Sequence, residues 1–330
     1  MNINNLLIPL SILLLFSFPF SSFSEKCNPQ DKKVLLQIKK DLNNPYHLAS
    51  WDPNTDCCDW YVVDCDIKTN RISSLHVFQA NISGQIPASV GNLPYLENLE
   101  FHHVTNLTGT IPETITKLKY LKYLTLSFNN LSGPVPSFLS KIKTLTYLDI
   151  SFNAFTGSIP PSLSELPNIV DLHLDRNQLT GTIPYSFGKF IAKTPHLYLS
   201  HNQLTGEVPK SLGDMNFGTL DFSRNKLVGD ISFLFGTNKS LQTADFSRNL
   251  FEFDLSLVKV PKSLENFDVN HNKIFGNIPV DMTKLSLQFL NVSYNRLCGE
   301  IPVGGRLQNF EATDYFHNRC LCGVPLPACK

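Results

Sequence analysis

The sequence predicts an α/β solenoid, with short parallel strands along one face and helical returns along the other. Three observations predict it. A thirteen-residue frame, L-x-L-x-x-N-x-L-x-G-x-I-P, recurs about every 24 residues. Inside each copy a period-two apolar pattern gives way to helical spacing. All eight cysteines lie outside the stretch of copies between residues 66 and 297.

The frame is read from residues 124–136 (LTLSFNNLSGPVP), 148–160 (LDISFNAFTGSIP), 172–184 (LHLDRNQLTGTIP), 197–209 (LYLSHNQLTGEVP) and 290–302 (LNVSYNRLCGEIP). Its asparagine returns as Asn129, Asn153, Asn177, Asn202, Asn225, Asn249, Asn272 and Asn295, at gaps of 24, 24, 25, 23, 24, 23 and 23. Two looser copies precede them, at 75–87 with Ala80 in place of the asparagine, and at 99–112 with a one-residue insertion. The total is ten plant-type leucine-rich repeats, placed over residues 67–306. The weakest copy is 244–255, with Ala244 at the first leucine, Phe253 at the glycine and no Ile-Pro.

Each frame position has a physical reason. L-x-L alternates as a strand with one buried face does. The asparagine follows where the chain turns inward, and a buried amide there must bond backbone groups of the neighbouring coil. Glycine permits a bend at positive φ. Proline fixes its own φ and pushes its predecessor toward extended geometry. The segment after it, such as SFLSKIKTL at 137–145, predicts a short helical or 3₁₀ return on the convex side.

Residues 1–24 read as a secretory leader: Leu6 to Phe23 is apolar, and Ser22 and Ser24 place small residues before Glu25. No second apolar span follows, so a soluble secreted product is expected. Residues 25–66 and 307–330 read as amino- and carboxyl-terminal caps over the exposed solenoid ends. Each cap holds or borders four cysteines, which permit three pairings. We favour Cys27–Cys57 with Cys58–Cys65, and Cys298–Cys320 with Cys322–Cys329, since a bond between adjacent Cys57 and Cys58 would be strained. No metal or cofactor is expected. Asn-x-Ser/Thr acceptors stand at Asn81, Asn106, Asn130, Asn238 and Asn291, the last inside a predicted strand.

Twenty-eight basic residues balance 28 acidic ones without a basic tract, which argues against nucleic acid or a membrane surface as partner. The residues beside the leucines predict a displayed concave face. Between the leucines stand Thr125, Asp149, His173, Tyr198, Asp221, Asp245, Asp268 and Asn291. After the second leucine come Ser127, Ser151, Asp175, Ser200, Ser223, Ser247, Asn270 and Ser293. Just before the asparagine come Phe128, Phe152, Arg176, His201, Arg224, Arg248, His271 and Tyr294. Asp171 lies beside the first column. Stacked like charges on neighbouring strands repel, and Arg, His and aromatic residues favour interfaces. Histidines on this face are expected to gain charge near pH 6.5. Catalysis is not expected: no G-x-S-x-G, H-E-x-x-H or P-loop occurs, and the Asp245/Asp268 and Asp171/His173 spacings arise from the repeat.

The chain closely resembles plant polygalacturonase-inhibiting proteins. The resemblance rests on residues 31–36 (DKKVLL), Trp51, 56–60 (DCCDW), 197–202 (LYLSHN), 222–229 (FSRNKLVG), 301–305 (IPVGG) and 316–330 (FHNRCLCGVPLPACK). It implies a right-handed solenoid, secretion to the plant cell wall, and a monomer whose concave sheet binds fungal, and in some relatives insect, endopolygalacturonases. Carried over, the recognition residues are the outward positions above, especially Asp149, Asp221, Asp245, Asp268, Arg224 and His271. Val62 departs from relatives with a further cysteine there, and Arg224 stands at a position that varies. A receptor-type signalling module and an ice-binding relative are the rival readings. Weak contact with cell-wall pectin would need Arg176, Arg224 and Arg248 to form a basic edge.

Overall fold

A computed structural model describes residues 26–191 and 195–330; the leader expected over residues 1–24 lies outside them. Each L-x-L forms a three-residue strand or longer, from Ile72–Phe78 through Tyr147–Asp149 to Phe289–Asn291. These ten strands run parallel, and Val63–Cys65 of the amino cap adds an antiparallel eleventh at one end. The leucines face inward: Leu124, Leu126, Leu148, Leu174, Leu199 and their equivalents are buried.

The glycine step builds more than a bend. Segments such as Asn130–Pro134, Ala154–Ser158 and Lys226–Gly229 pair in parallel into three smaller sheets of five, three and three strands. From Gly109 onward the glycines in this row adopt φ of 78° to 90°, as at Gly181 and Gly299, a region closed to most side chains. In the weakest repeat Phe253 replaces that glycine and is buried instead. There one small sheet ends at Leu250–Phe251, and a single bridge, Asp254 to Phe275, leads to the next. The convex returns are 3₁₀ helices, for example Ser137–Lys141 and Lys210–Asp214, each entered from the frame proline.

The frame asparagines form the internal ladder. Asn202 Oδ1 accepts from the Leu179 N–H at 2.9 Å, and its Nδ2 donates to the carbonyls of Leu174, Leu199 and Ser200 at 3.0, 3.1 and 3.2 Å. One amide thus ties two coils and closes its own turn. The ladder runs into the carboxyl cap, where Asn318 accepts from Leu297 and donates to Val292 and Tyr315. Cys320–Cys322 then pairs with the preceding coil, Cys298 opposite Cys320.

The caps close both ends. Helix Pro29–Asp41 is capped by the Asn28 side chain. Buried Asp31 binds Arg71 through two 2.8 Å contacts and the Ile72 N–H at 3.0 Å, which fastens the helix to the first coil. Bonded sulfurs join Cys27 to Cys57, Cys58 to Cys65, Cys298 to Cys320 and Cys322 to Cys329.

Candidate functional site

Strand register decides which side chains meet. Thr125, Asp149, His173, Tyr198, Asp221, Asp245, Asp268 and Asn291 are successive Cα partners and form one column across the concave sheet. Asp171 stands one step upstream, between Tyr147 and His196. That upstream column also presents Tyr123 and Phe289, both nearly half exposed. The sequence reading placed Asp171 on this face but missed Tyr123, Tyr147 and Phe289, although the alternation simply continues one residue before the first leucine. A shallow hollow of about 500 Å³ opens there between Glu100, His102, Tyr123, Thr125, Tyr147 and Asp149.

The acidic column has a structural task. Asp149, Asp221, Asp245 and Asp268 each use Oδ1 to accept the N–H two residues on, at 2.9 to 3.0 Å. Asn291 does the same toward Ser293, whose hydroxyl also donates to it at 2.7 Å. These carboxylates therefore help terminate their strands.

The column after the second leucine is not displayed as expected. Ser127, Ser151, Ser200, Ser223, Ser247 and Ser293 are buried, because the chain begins its inward turn there. Asp175 stands in this small-residue row. Burial, and then the Asp149 charge, push its carboxyl up to about 7. Its nearest imidazole nitrogen, His173 Nδ1, lies 3.9 Å away. Burial also raises Asp268 to about 6, with Asp245 adding to the effect, and raises Asp245 beside Asp221.

The histidines behave differently from the expectation. Burial lowers His173, outweighing Asp149 and Asp171. Burial and neighbouring arginines lower His201 and His271. Mild acid therefore removes negative charge from Asp175 and Asp268, while these rings resist gaining positive charge.

The residues just before the asparagines, with His103 before Val104 in the looser second copy, share one backbone state. His103, Phe128, Phe152, Arg176, His201, Arg224, Arg248, His271, Tyr294 and His317 all have φ between 51° and 57°. Glycine or asparagine fits this left-handed region best, yet every coil after the first keeps an aromatic, histidine or arginine side chain there. The side chains stack: Phe128 on Phe152 at 3.7 Å, Arg176 over Phe152 at 4.7 Å, His271 on Tyr294 at 4.0 Å and Tyr294 on His317 at 4.2 Å. The result is a ladder along the edge of the acidic sheet.

Profiles described as leucine rich repeat N-terminal domain and leucine rich repeat match residues 28–66, 120–179, 196–215 and 286–305. A polygalacturonase inhibitor of Vitis vinifera is 63% identical over 321 residues, covering 97% of this chain and 96% of that protein. One of Pyrus communis is 63% identical over 322 residues, with 97% and 98% covered. A solved structure described as a plant ice-binding protein is 53% identical, covers 92% of this chain and 99% of its own, and superposes with a TM-score of 0.91.

Proposed function

The chain belongs to the plant polygalacturonase-inhibitor family, and we propose that it is a secreted defence protein that inhibits fungal endopolygalacturonases by covering their active-site cleft with its concave sheet. The observation that carries this reading is 63% identity to named inhibitors along 97% of the chain. Among the described residues no helix is long and apolar enough to cross a membrane, which suits an extracellular location.

The mechanism follows from charge and shape. An enzyme that grips a polyanion presents Lys and Arg at its subsites, and its catalysis uses carboxylates at the centre. The column of Asp149, Asp221, Asp245 and Asp268 offers those cations substitute carboxylates. Two stacked clusters, Phe128–Phe152–Arg176 and His271–Tyr294–His317, supply flat surface at the rim. The inhibitor thus excludes pectin without reacting, and needs no cofactor or metal. Rim charges govern association, and desolvated anchors govern dissociation.

Inhibition assays of the secreted protein against a panel of fungal endopolygalacturonases test the reading. Slowed pectin cleavage by at least one enzyme supports it, and no effect on any enzyme rejects it. The ice-binding reading draws on the structural neighbour described as a plant ice-binding protein. The irregular, charged column from Thr125 to Asp268 lacks the flat repetition that lattice matching needs. Thermal hysteresis of the same preparation tests it directly.

A further inference from the structure

Two glycosylation acceptors, Asn81 and Asn106, come from adjacent coils and meet on the surface. Both are exposed. Asn106 Nδ2, the atom a glycan would replace a hydrogen on, donates to Asn81 Oδ1 at 3.1 Å. The backbones are tied beside them, with Gly84 N–H donating to the Asn106 carbonyl and Gly84 paired with Leu107. The backbone therefore holds the two residues side by side on adjacent coils. Asn130 belongs to the next coil, but Thr108 rather than Asn106 is its strand partner.

The surroundings of the pair are unequal. A hollow of about 350 Å³ borders Asn81 and is lined by Gln79, Ala80, His103 and Thr105. Gln79 and His103 reach it from left-handed backbone positions on successive coils, φ 46° and 55°. An imidazole face and an amide suit the apolar face and the acetamido group of a first N-acetylglucosamine. Asn106 is not among the lining residues, and its acceptor hydroxyl, Thr108 Oγ1, is bonded to the Gly84 carbonyl at 3.1 Å.

We propose that Asn81 and Asn106 act as a one-glycan site: Asn81 carries the sugar, bedded against His103 and Gln79, and Asn106 stays bare in the folded, secreted molecule. This rests on the secretory reading above. Two branched glycans rooted on amides 3.1 Å apart crowd each other at their first rings, so a chain carrying both must turn the two side chains apart. The consequence for function is a boundary. Sugar over His103 ends the accessible ladder at Phe128, so a partner docks on the coils beyond it.

One tryptic peptide, residues 72–117, contains both acceptors and no internal Lys or Arg. The full protein, secreted from plant cells, is digested and deglycosylated with peptide-N-glycosidase in heavy-oxygen water, which marks each formerly glycosylated Asn as labelled Asp. One mark per peptide, at Asn81, is expected. In Ser83→Ala, which removes that acceptor, the mark moves to Asn106, from a trace to the majority of molecules. Two marks on one wild-type peptide, a sole mark at Asn106, or a bare Asn106 in Ser83→Ala overturns the proposal. If Asn130 and Asn238 are marked in those cases, the secretory reading still stands. If every acceptor is bare, that reading fails and this inference with it.

Discussion

Two neighbouring columns of the solenoid obey opposite rules. The frame asparagines, such as Asn177, Asn202, Asn249 and Asn295, are buried and chemically uniform. The residues directly before them share one backbone conformation, yet are Phe, Arg, His or Tyr in turn. One peptide bond separates a position where the fold dictates the side chain from one where it dictates only φ and ψ. In the first column the amide completes hydrogen bonds that water cannot reach. In the second, the side chains emerge at the edge of the sheet, and their identity is left to whatever binds there.

Breaking the buried column has the largest expected effect. Asn202→Ala leaves the Leu179 N–H and several carbonyls without partners. It should lower unfolding stability by about 2 kcal/mol, measured by urea denaturation. A loss no larger than that of an exposed substitution would remove the ladder as a source of stability.

The acidic column lies between the two regimes, because its carboxylates serve both fold and surface. Asp221→Asn, Asp245→Asn and Asp268→Asn together retain the oxygen that accepts the turn N–H but delete three charges. Inhibition of a susceptible polygalacturonase should weaken tenfold or more, about 1.4 kcal/mol, and lose part of its salt dependence. Unchanged inhibition by a normally folded triple variant would show that the charges are not read by the partner.

Asp175 sharpens the comparison, as a charge set in the serine row. Its folded value of about 7 exceeds the ordinary 3.8, so its favourable contribution is complete below about pH 3.8 and is lost as pH rises through about 7. Asp175→Ser should therefore raise stability by roughly 1 kcal/mol at pH 8, with the gain vanishing toward pH 4. Equal urea midpoints for both proteins at pH 8 would mean that the carboxylate is not strained by burial.

The smallest effect on the fold belongs to the ladder. Arg248→Gly exchanges a left-handed arginine for the residue best suited to φ 54°. Relief of backbone strain and the greater entropy of unfolded glycine offset each other, leaving less than about 1 kcal/mol in either direction. Inhibition should nonetheless fall, which separates a binding residue from a folding one. A large stability loss would instead assign Arg248 to the fold.

Much of the architecture was legible because a solenoid repeats its physics locally. Periodic leucines predicted the strands, the proline predicted the return, and the asparagine predicted the amide ladder. The site was less legible. Ser200 and Tyr198 sit one leucine apart and look equally outward in the sequence, yet Ser200 is buried and Tyr198 is only partly covered. Tyr123 and Tyr147 went unrecognised because they precede the leucine pair, although the same alternation carries them onto the face.

By itself, the sequence determined the repeat, its register and the family, since these depend on residue type at fixed spacing within one coil. Only the tertiary structure decided which carboxylates titrate near neutrality, which histidines lose basicity and which glycosylation acceptors touch. Those properties depend on burial and on neighbours about 24 residues away. A one-dimensional pattern places such neighbours in the same column, but it does not record how far each side chain stands from water.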